Sequence, residues 1–107
     1  MHRPALTGVS CAIETYTSRS AGAAHNRIVW TGPRTERKNM VIRVTYDDGL
    51  SFPVERLFWE GRGGYSDLTI QDDESIGVLW EGGAPREGAK YCITFTRLTR
   101  EFLEPAR

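Results

Sequence analysis

Residues 45–52 read TYDDGLSF, and the fold turns on how that stretch is read. It follows the pattern Ser/Thr-x-Asp-x-Gly-x-Ser/Thr-aromatic, which is the chemistry of a tight hairpin turn. Asp47 is placed to hydrogen-bond backbone amides two or three residues on, as in an Asx-turn. Gly49 supplies a positive φ at little cost, and Phe52 can fold back as an apolar plug beneath the loop. The run that enters the turn alternates. Met40, Ile42, Val44 and Tyr46 fall on one side and Val41, Arg43 and Thr45 on the other, giving one clearly apolar strand face.

Outward from this turn, short apolar runs recur at close spacing and are separated by Gly, Pro, Asp and Asn. That pattern reads as antiparallel all-β. The runs at 10–17, 26–32, 38–46, 53–61, 65–71, 75–82 and 90–98 give seven expected strands. QDDES, 71–75, reads as a polar hairpin turn, and SRSAGAAHN, 18–26, as an exposed loop. In the tail LTREFLEP, 98–105, the side chains Leu98, Phe102 and Leu103 suit one docked helical turn that Pro105 stops. Seven short strands admit either a sandwich or part of a radial array, because propeller blades are four-stranded.

The chain has 107 residues, enough for one small domain, and no linker divides it. Fourteen acidic residues balance fourteen basic ones, so no basic excess points to a nucleic acid. Cys11 and Cys92 lie far apart without CxxC spacing, which favours two buried thiols over zinc, while one disulfide between them stays open. His2 and His25 are isolated, so neither a metal nor another cofactor is expected. The glycines around Arg62 precede no GK[ST] and no helix, which sets aside a phosphate loop. No run is apolar enough to span a bilayer, and the first residues lack the apolar core of a signal peptide. Trp30, Phe58, Trp59 and Trp80 suit packing between sheets better than a sugar platform.

The TYDDGLSF pattern resembles the Asp box, or BNR motif, of β-propellers, where it is structural and lies away from the active site. Its surroundings are more specific. Arg37-Lys38-Asn39-Met40 resembles the Arg-x-Asn-apolar element before the last such box of bacterial exo-sialidases (neuraminidases). Tyr65-Ser66-Asp67-Leu68 resembles the family's Tyr-Ser-x-Leu element, and Leu79-Trp80-Glu81 its apolar-aromatic-Glu strand end, where tyrosine is the commoner aromatic. A closing strand and short Leu-rich end follow in YCITFTRLTREFL. The resemblance covers roughly residues 26 to 104. It implies antiparallel blades, about two, of a six-bladed β-propeller with a short C-terminal helical turn. All of 1–107 would then be one partial propeller domain.

The resemblance also implies chemistry: hydrolysis of terminal α-linked sialic acids, with retention. Sialic acid carries a carboxylate on its anomeric carbon, and a carboxylate nucleophile would approach it against like charge. A neutral phenol avoids that cost, which accounts for the tyrosine nucleophile of sialidases. By resemblance Tyr65 holds that position. A phenol with its ordinary pKa near ~10 needs a neighbouring general base. Arg37 matches one of three arginines that hold the substrate carboxylate, a task suited to a planar guanidinium fork. Glu81 matches the acid that pairs with and orients the first of those arginines. Thr45, Asp47, Gly49, Ser51 and Phe52 form the structural box, while Ser66 and Asp67 match the motif with no chemical step.

The family's Arg-Ile-Pro-like element, acid/base aspartate, glutamate base and second arginine have no match here. The expectation is a chain that holds a nucleophile position without its base and one arginine of three, and that turns over no substrate alone. Intact bacterial relatives are often exported, but nothing in these residues encodes export. From a different class comes the alternative of a non-catalytic BNR-type module that binds glycans or completes a propeller with another chain. Either way, uncovered blade edges would favour association and limit solubility.

Overall fold

A computed structural model describes residues 9–83 and 92–105 of the chain. Its strands are β1 (Ala12–Thr17), β2 (Arg27–Thr35), β3 (Lys38–Thr45), β4 (Val54–Ile70), β5 (Ile76–Gly82) and β6 (Ile93–Leu98). A 3-10 turn, Arg19–Ala21, sits in the exposed loop after β1, and helix α1, Arg100–Leu103, closes the described chain. The strands form one antiparallel sheet in sequence order, β1-β2-β3-β4-β5-β6. The architecture is all-β with a short C-terminal helical turn, and the curled sheet is consistent with a propeller fragment. Lys90 and Tyr91, placed from sequence in the last strand, lie outside the described residues.

Six strands replace the seven read from sequence because the runs at 53–61 and 65–71 are one strand. The GRGG segment between them, Gly61–Gly64, is not a turn. It is the point where β4 changes partner, pairing with β3 up to Arg62 and with β5 from Gly63 onward. The ladder slips at Lys38/Met40 and Met40/Val41 on one side and at Gly63/Ser66 on the other. Bulges of this kind bend and twist a sheet, and here they curl the β5–β6 half back over the first strands. Ser66 fastens that curl. Its amide donates to the Ser10 carbonyl at 3.1 Å, and its hydroxyl donates to the Thr31 carbonyl at 3.0 Å.

Met40, Ile42 and Val44 point into the curl and are fully buried with Val29, Leu68, Ile76, Val78 and Trp80. Tyr46, expected to continue that face, is instead more than a third exposed. The opposite face of β3 is buried too, contrary to simple alternation. Arg43 lies flat over Trp30, with 4.4 Å from its guanidinium carbon to the ring centre, and Glu55 takes its Nε at 2.9 Å. Val41 and Thr45, on the same face as this cation–π stack, are buried as well. Phe58 and Trp59 pack edge-on and tilted against Trp80, at 5.6 and 5.8 Å, so these rings serve the core as expected.

The turn after β3 is held by side chains. Thr45 Oγ1 accepts from the Gly49 amide at 2.9 Å, and Asp47 accepts from both the amide and the hydroxyl of Ser51. Asp47 therefore reaches four residues on, further than expected, because the Thr45 hydroxyl has taken the nearer amide. The Ser51 hydroxyl, then its amide and Thr45, hold the Asp47 carboxyl below its ordinary value. Gly49 has φ 90°, as the turn requires. Phe52 is half-buried and stays outside the core cluster, so it caps the loop only in part.

At this end of the sheet α1 is tied down. Thr99 caps its first turn, Leu103 is buried, and Glu104 accepts from the Nε of nearly buried Arg27 at 3.0 Å and from the Tyr46 hydroxyl. Burial alone would raise the Glu104 carboxyl. The hydrogen bonds from Arg27 and Tyr46 outweigh it and hold the group below its ordinary value. Cys11 and Cys92 are not joined in a disulfide, and both thiols are half-buried rather than fully buried. Among the described residues no helix is long and apolar enough to cross a membrane.

Candidate functional site

One residue from a hairpin turn and two from separate strands meet where β4 changes partner. Arg37 sits at the tip of the β2–β3 hairpin, a two-residue turn between paired Thr35 and Lys38 that needs φ 48° at Glu36. The Arg37 carbonyl accepts from the Gly63 amide at 3.0 Å, which fixes the hairpin tip against β4 one residue before Gly64. Its guanidinium carbon then lies 5.3 Å from the centre of the Tyr65 ring. From β5, Glu81 approaches the same guanidinium, Oε1 to Nη1, at 3.5 Å.

Alternation sets which way these groups face. Ser66 and Leu68 turn toward the core, so Tyr65 and Asp67 turn outward, and Leu79 and Glu81 accompany them on β5. Tyr65, Asp67, Leu79, Glu81 and Ile93 line an open cleft of about 230 Å³. Tyr65 is half exposed, and among the described residues its hydroxyl has no hydrogen-bond partner. The cleft therefore presents a phenol and two carboxylates beside an apolar wall, and the Arg37 guanidinium, outside its lining, touches the phenol ring and one of the carboxylates. A ligand ring could rest on Leu79 and Ile93 beside the phenol. Among the described residues no group of three or more His, Cys, Asp or Glu could hold a metal ion.

Over most of its length this chain is similar to a sialidase. The sialidase of Micromonospora viridifaciens is 31% identical over 92 residues, which is 83% of this chain and 14% of that protein. The chain thus spans a small part of the sialidase it matches. No protein-family profile matches the chain.

The structure brings Tyr65, Arg37 and Glu81 together, and it separates Arg37 from its neighbour Arg34, whose Nε turns to Glu55 at 3.2 Å. The carboxylate of Glu81 engages Arg37 itself. Thr45, Asp47, Gly49, Ser51 and Phe52 form the turn at the opposite end of β3 and take no part in this cleft.

Sequence reasoning missed the residues that make the meeting of strands feasible. Asn39, with φ 60°, accepts from the Gly61 amide through Oδ1 at 3.0 Å and so stitches the bulged ladder beside Arg37. Gly64 leaves room for Glu81. A Cβ there would overlap Oε1 well inside 3.0 Å and would stand 3.6 Å from Arg37 Nη1. Thr31, fully buried on β2, receives Ser66. The signal for the glycine was present, since glycine inside a strand pattern marks a bulge or a close approach.

Proposed function

We propose that this chain carries the tyrosine-bearing part of a sialidase-like β-propeller. In this reading Tyr65 holds the nucleophile position, Arg37 binds the substrate carboxylate and Glu81 orients that arginine. The turn at 45–52 is the Asp box, and all of 1–107 belongs to one partial propeller domain. The ligand is a glycan ending in sialic acid.

One observation carries the reading. Three residues far apart in sequence, each matched to a family motif, converge beside one outward cleft, which Tyr65 and Glu81 line, with the guanidinium over the phenol ring and a carboxylate on the guanidinium. Such a cleft suits a sugar acid. Arg37 would hold the carboxylate, and the Tyr65 oxygen would bond to the anomeric carbon as the bond to the leaving alcohol breaks. Water would then release the sugar with retained configuration. The proton of Tyr65 must pass to a base first, and that base is not Glu81, which is held on Arg37. Hydrolysis is therefore assigned to the intact protein, with the chain alone silent.

The test uses a fluorogenic sialoside with the chain and with its Tyr65→Phe variant, alongside amide shifts of Gly64 and Ser66 on titration with sialyllactose. The expected result is no turnover, but saturable shifts that Arg37→Ala removes. Turnover that survives Tyr65→Phe, or the absence of any shift, overturns the assignment. The second reading, a non-catalytic glycan-binding module, is favoured by the unpartnered Tyr65 hydroxyl among the described residues. Turnover by a longer version that includes upstream sequence, lost in Tyr65→Phe, would exclude it.

A further inference from the structure

The outward face that carries Tyr65 continues across β5 and β6. In register, Glu81 stands opposite Ile93, and Asp67, Leu79 and Phe95 form the next row. Leu79, Ile93 and Phe95 are each more than half exposed. Asp67, Leu79 and Ile93 line the Tyr65 cleft, and Phe95 stands outside that lining as the cross-strand partner of Leu79.

Gly77 gives the Phe95 ring its seat. A Cβ on Gly77 would lie 2.8 Å from Cζ and 2.9 Å from Cε1 of Phe95, so the ring occupies the space that a side chain would take. It is supported by the sheet and still largely open to solvent. The charge beside it has one sign. Asp67 accepts from the Leu68 amide through Oδ1 at 2.9 Å, and among the described residues its carboxylate meets no cation. Arg97, the next outward residue of β6, is held by Asp73. A seated ring beside a spare carboxylate oxygen suits a neutral sugar, whose C–H face rests on the ring while a rim hydroxyl donates to the carboxylate. A second acidic group would meet Asp67 against like charge.

We propose that Phe95 and Asp67 form a subsite for the neutral sugar to which the sialic acid is joined. Phe95 takes its C–H face and Asp67 accepts one of its hydroxyls. The inference rests on the reading of Tyr65 as the place of the sialic acid, because the row at Phe95 then receives the next sugar of the glycan. The chain would therefore prefer a sialic acid joined to a neutral hexose over one joined to a second sialic acid.

The experiment titrates the chain with methyl α-sialoside, which has no second sugar, with sialyllactose and with disialyllactose. Amides of Gly64 and Ser66 report the Tyr65 cleft, and those of Gly77 and Phe95 report the subsite. Sialyllactose should bind about fivefold more tightly than the methyl sialoside, the effect of one aromatic contact, and should alone shift Gly77 and Phe95. Phe95→Ala should erase that gain and leave methyl sialoside affinity unchanged, whereas Phe95→Tyr, which keeps the ring, should retain it. Disialyllactose should show no gain in the parent chain and recover part of it in Asp67→Asn. Equal affinity for methyl sialoside and sialyllactose, equal affinity for the two oligosaccharides, or a gain that survives Phe95→Ala overturns the proposal. The Tyr65 reading still stands in those cases if Gly64 and Ser66 shift. Shifts at Gly77 and Phe95 that follow protein concentration without ligand would give this face to a second copy of the chain and overturn the subsite. Ligand-dependent shifts at Gly77 and Phe95 alone would support a sugar-binding face while sinking the Tyr65 reading. Shifts in neither set would sink both.

Discussion

Gly63 and Gly64 are neighbours, yet adding one methyl group to each should have opposite consequences. Gly64→Ala places its Cβ on the Oε1 of Glu81, the free end of a flexible side chain that can swing away. Replacing glycine at a compatible backbone position stabilises by about 0.4–1 kcal/mol through the unfolded chain. Losing an exposed pair such as Arg37–Glu81 costs about 0.2–1 kcal/mol. These nearly cancel, so the urea midpoint should hardly move. Gly63→Ala instead drives its Cβ into Cγ and Sδ of Met40, which is fully buried in the curl and cannot swing away. Overpacking of this kind costs about 1–3 kcal/mol. With a urea slope of about 1–3 kcal/mol/M, the midpoint should fall by about 0.5–1 M. The local effect reverses the order. The Nε resonance of Arg37 should respond to Glu81→Gln in the parent chain and should not respond in the Gly64→Ala background. If Gly64→Ala costs as much stability as Gly63→Ala, or if Glu81→Gln moves Arg37 equally in both backgrounds, the geometric argument fails.

Other perturbations separate the two ends of the sheet. Thr45→Val removes the acceptor of the Gly49 amide at a fully buried position, and should cost about 1–2 kcal/mol in urea titration with sialoside shifts at Tyr65 unchanged. Glu104→Gln leaves nearly buried Arg27 without its counter-charge and should cost about 1–3 kcal/mol. Because the folded-state Glu104 carboxyl lies below its unfolded value, its contribution is present above the unfolded value of about 4.3 and fades as pH falls through the folded value. Melting curves from pH 7 downward should therefore converge for parent and Glu104→Gln. Ile93→Thr with Phe95→Thr replaces two residues 66% and 56% exposed on the outer face of β6, and should shift sedimentation toward monomer if that face drives association.

How much was legible in advance follows from which physical signal each feature leaves. The apolar side of β3 at Met40, Ile42 and Val44 and the TYDDGLSF turn were readable because strand period and turn chemistry are local, while the burial of the other side and the exposure of Tyr46 were not. The aromatic core was readable because Trp80 and its neighbours had no polar explanation. The merger of two runs into β4 was not. Glycines usually punctuate, and here Gly61–Gly64 carry the strand through a change of partner, a tertiary fact with no local signature. The burial of Arg43 was hidden for a similar reason, since only pairing in register places Trp30 beneath it and Glu55 beside it. At the site, Arg37 and Tyr65 were found through motif order. Asn39 and Ser66 stood in those same motifs without a role, because hydrogen bonds to Gly61 and Thr31 cross between strands.

The site and the curl share one cause. A strand that serves a single ladder presents its outward side chains in a row, with a hairpin loop only at its ends. Because β4 leaves β3 at Arg62 and takes up β5 at Gly63, the tip of the β2–β3 hairpin comes to lie beside the middle of β4. That is how a turn residue, Arg37, reaches a strand residue, Tyr65, and a strand-end residue, Glu81, at once. The glycines supply the close approach, Asn39 closes the amide left open by the bulge, and Ser66 locks the curl one residue from the phenol. The same slip pairs Lys38 with Arg62 across the ladder beside Arg37. A sialoside bound beside Tyr65 and Arg37 would therefore report on the integrity of the slip itself. Asn39→Ala, which removes no charge, should weaken sialyllactose, because the Gly61 amide loses its acceptor and the bulged ladder that carries the Arg37 hairpin loses its register. Unchanged sialyllactose affinity would mean that the Gly63–Arg37 hydrogen bond holds the hairpin tip without help from Asn39.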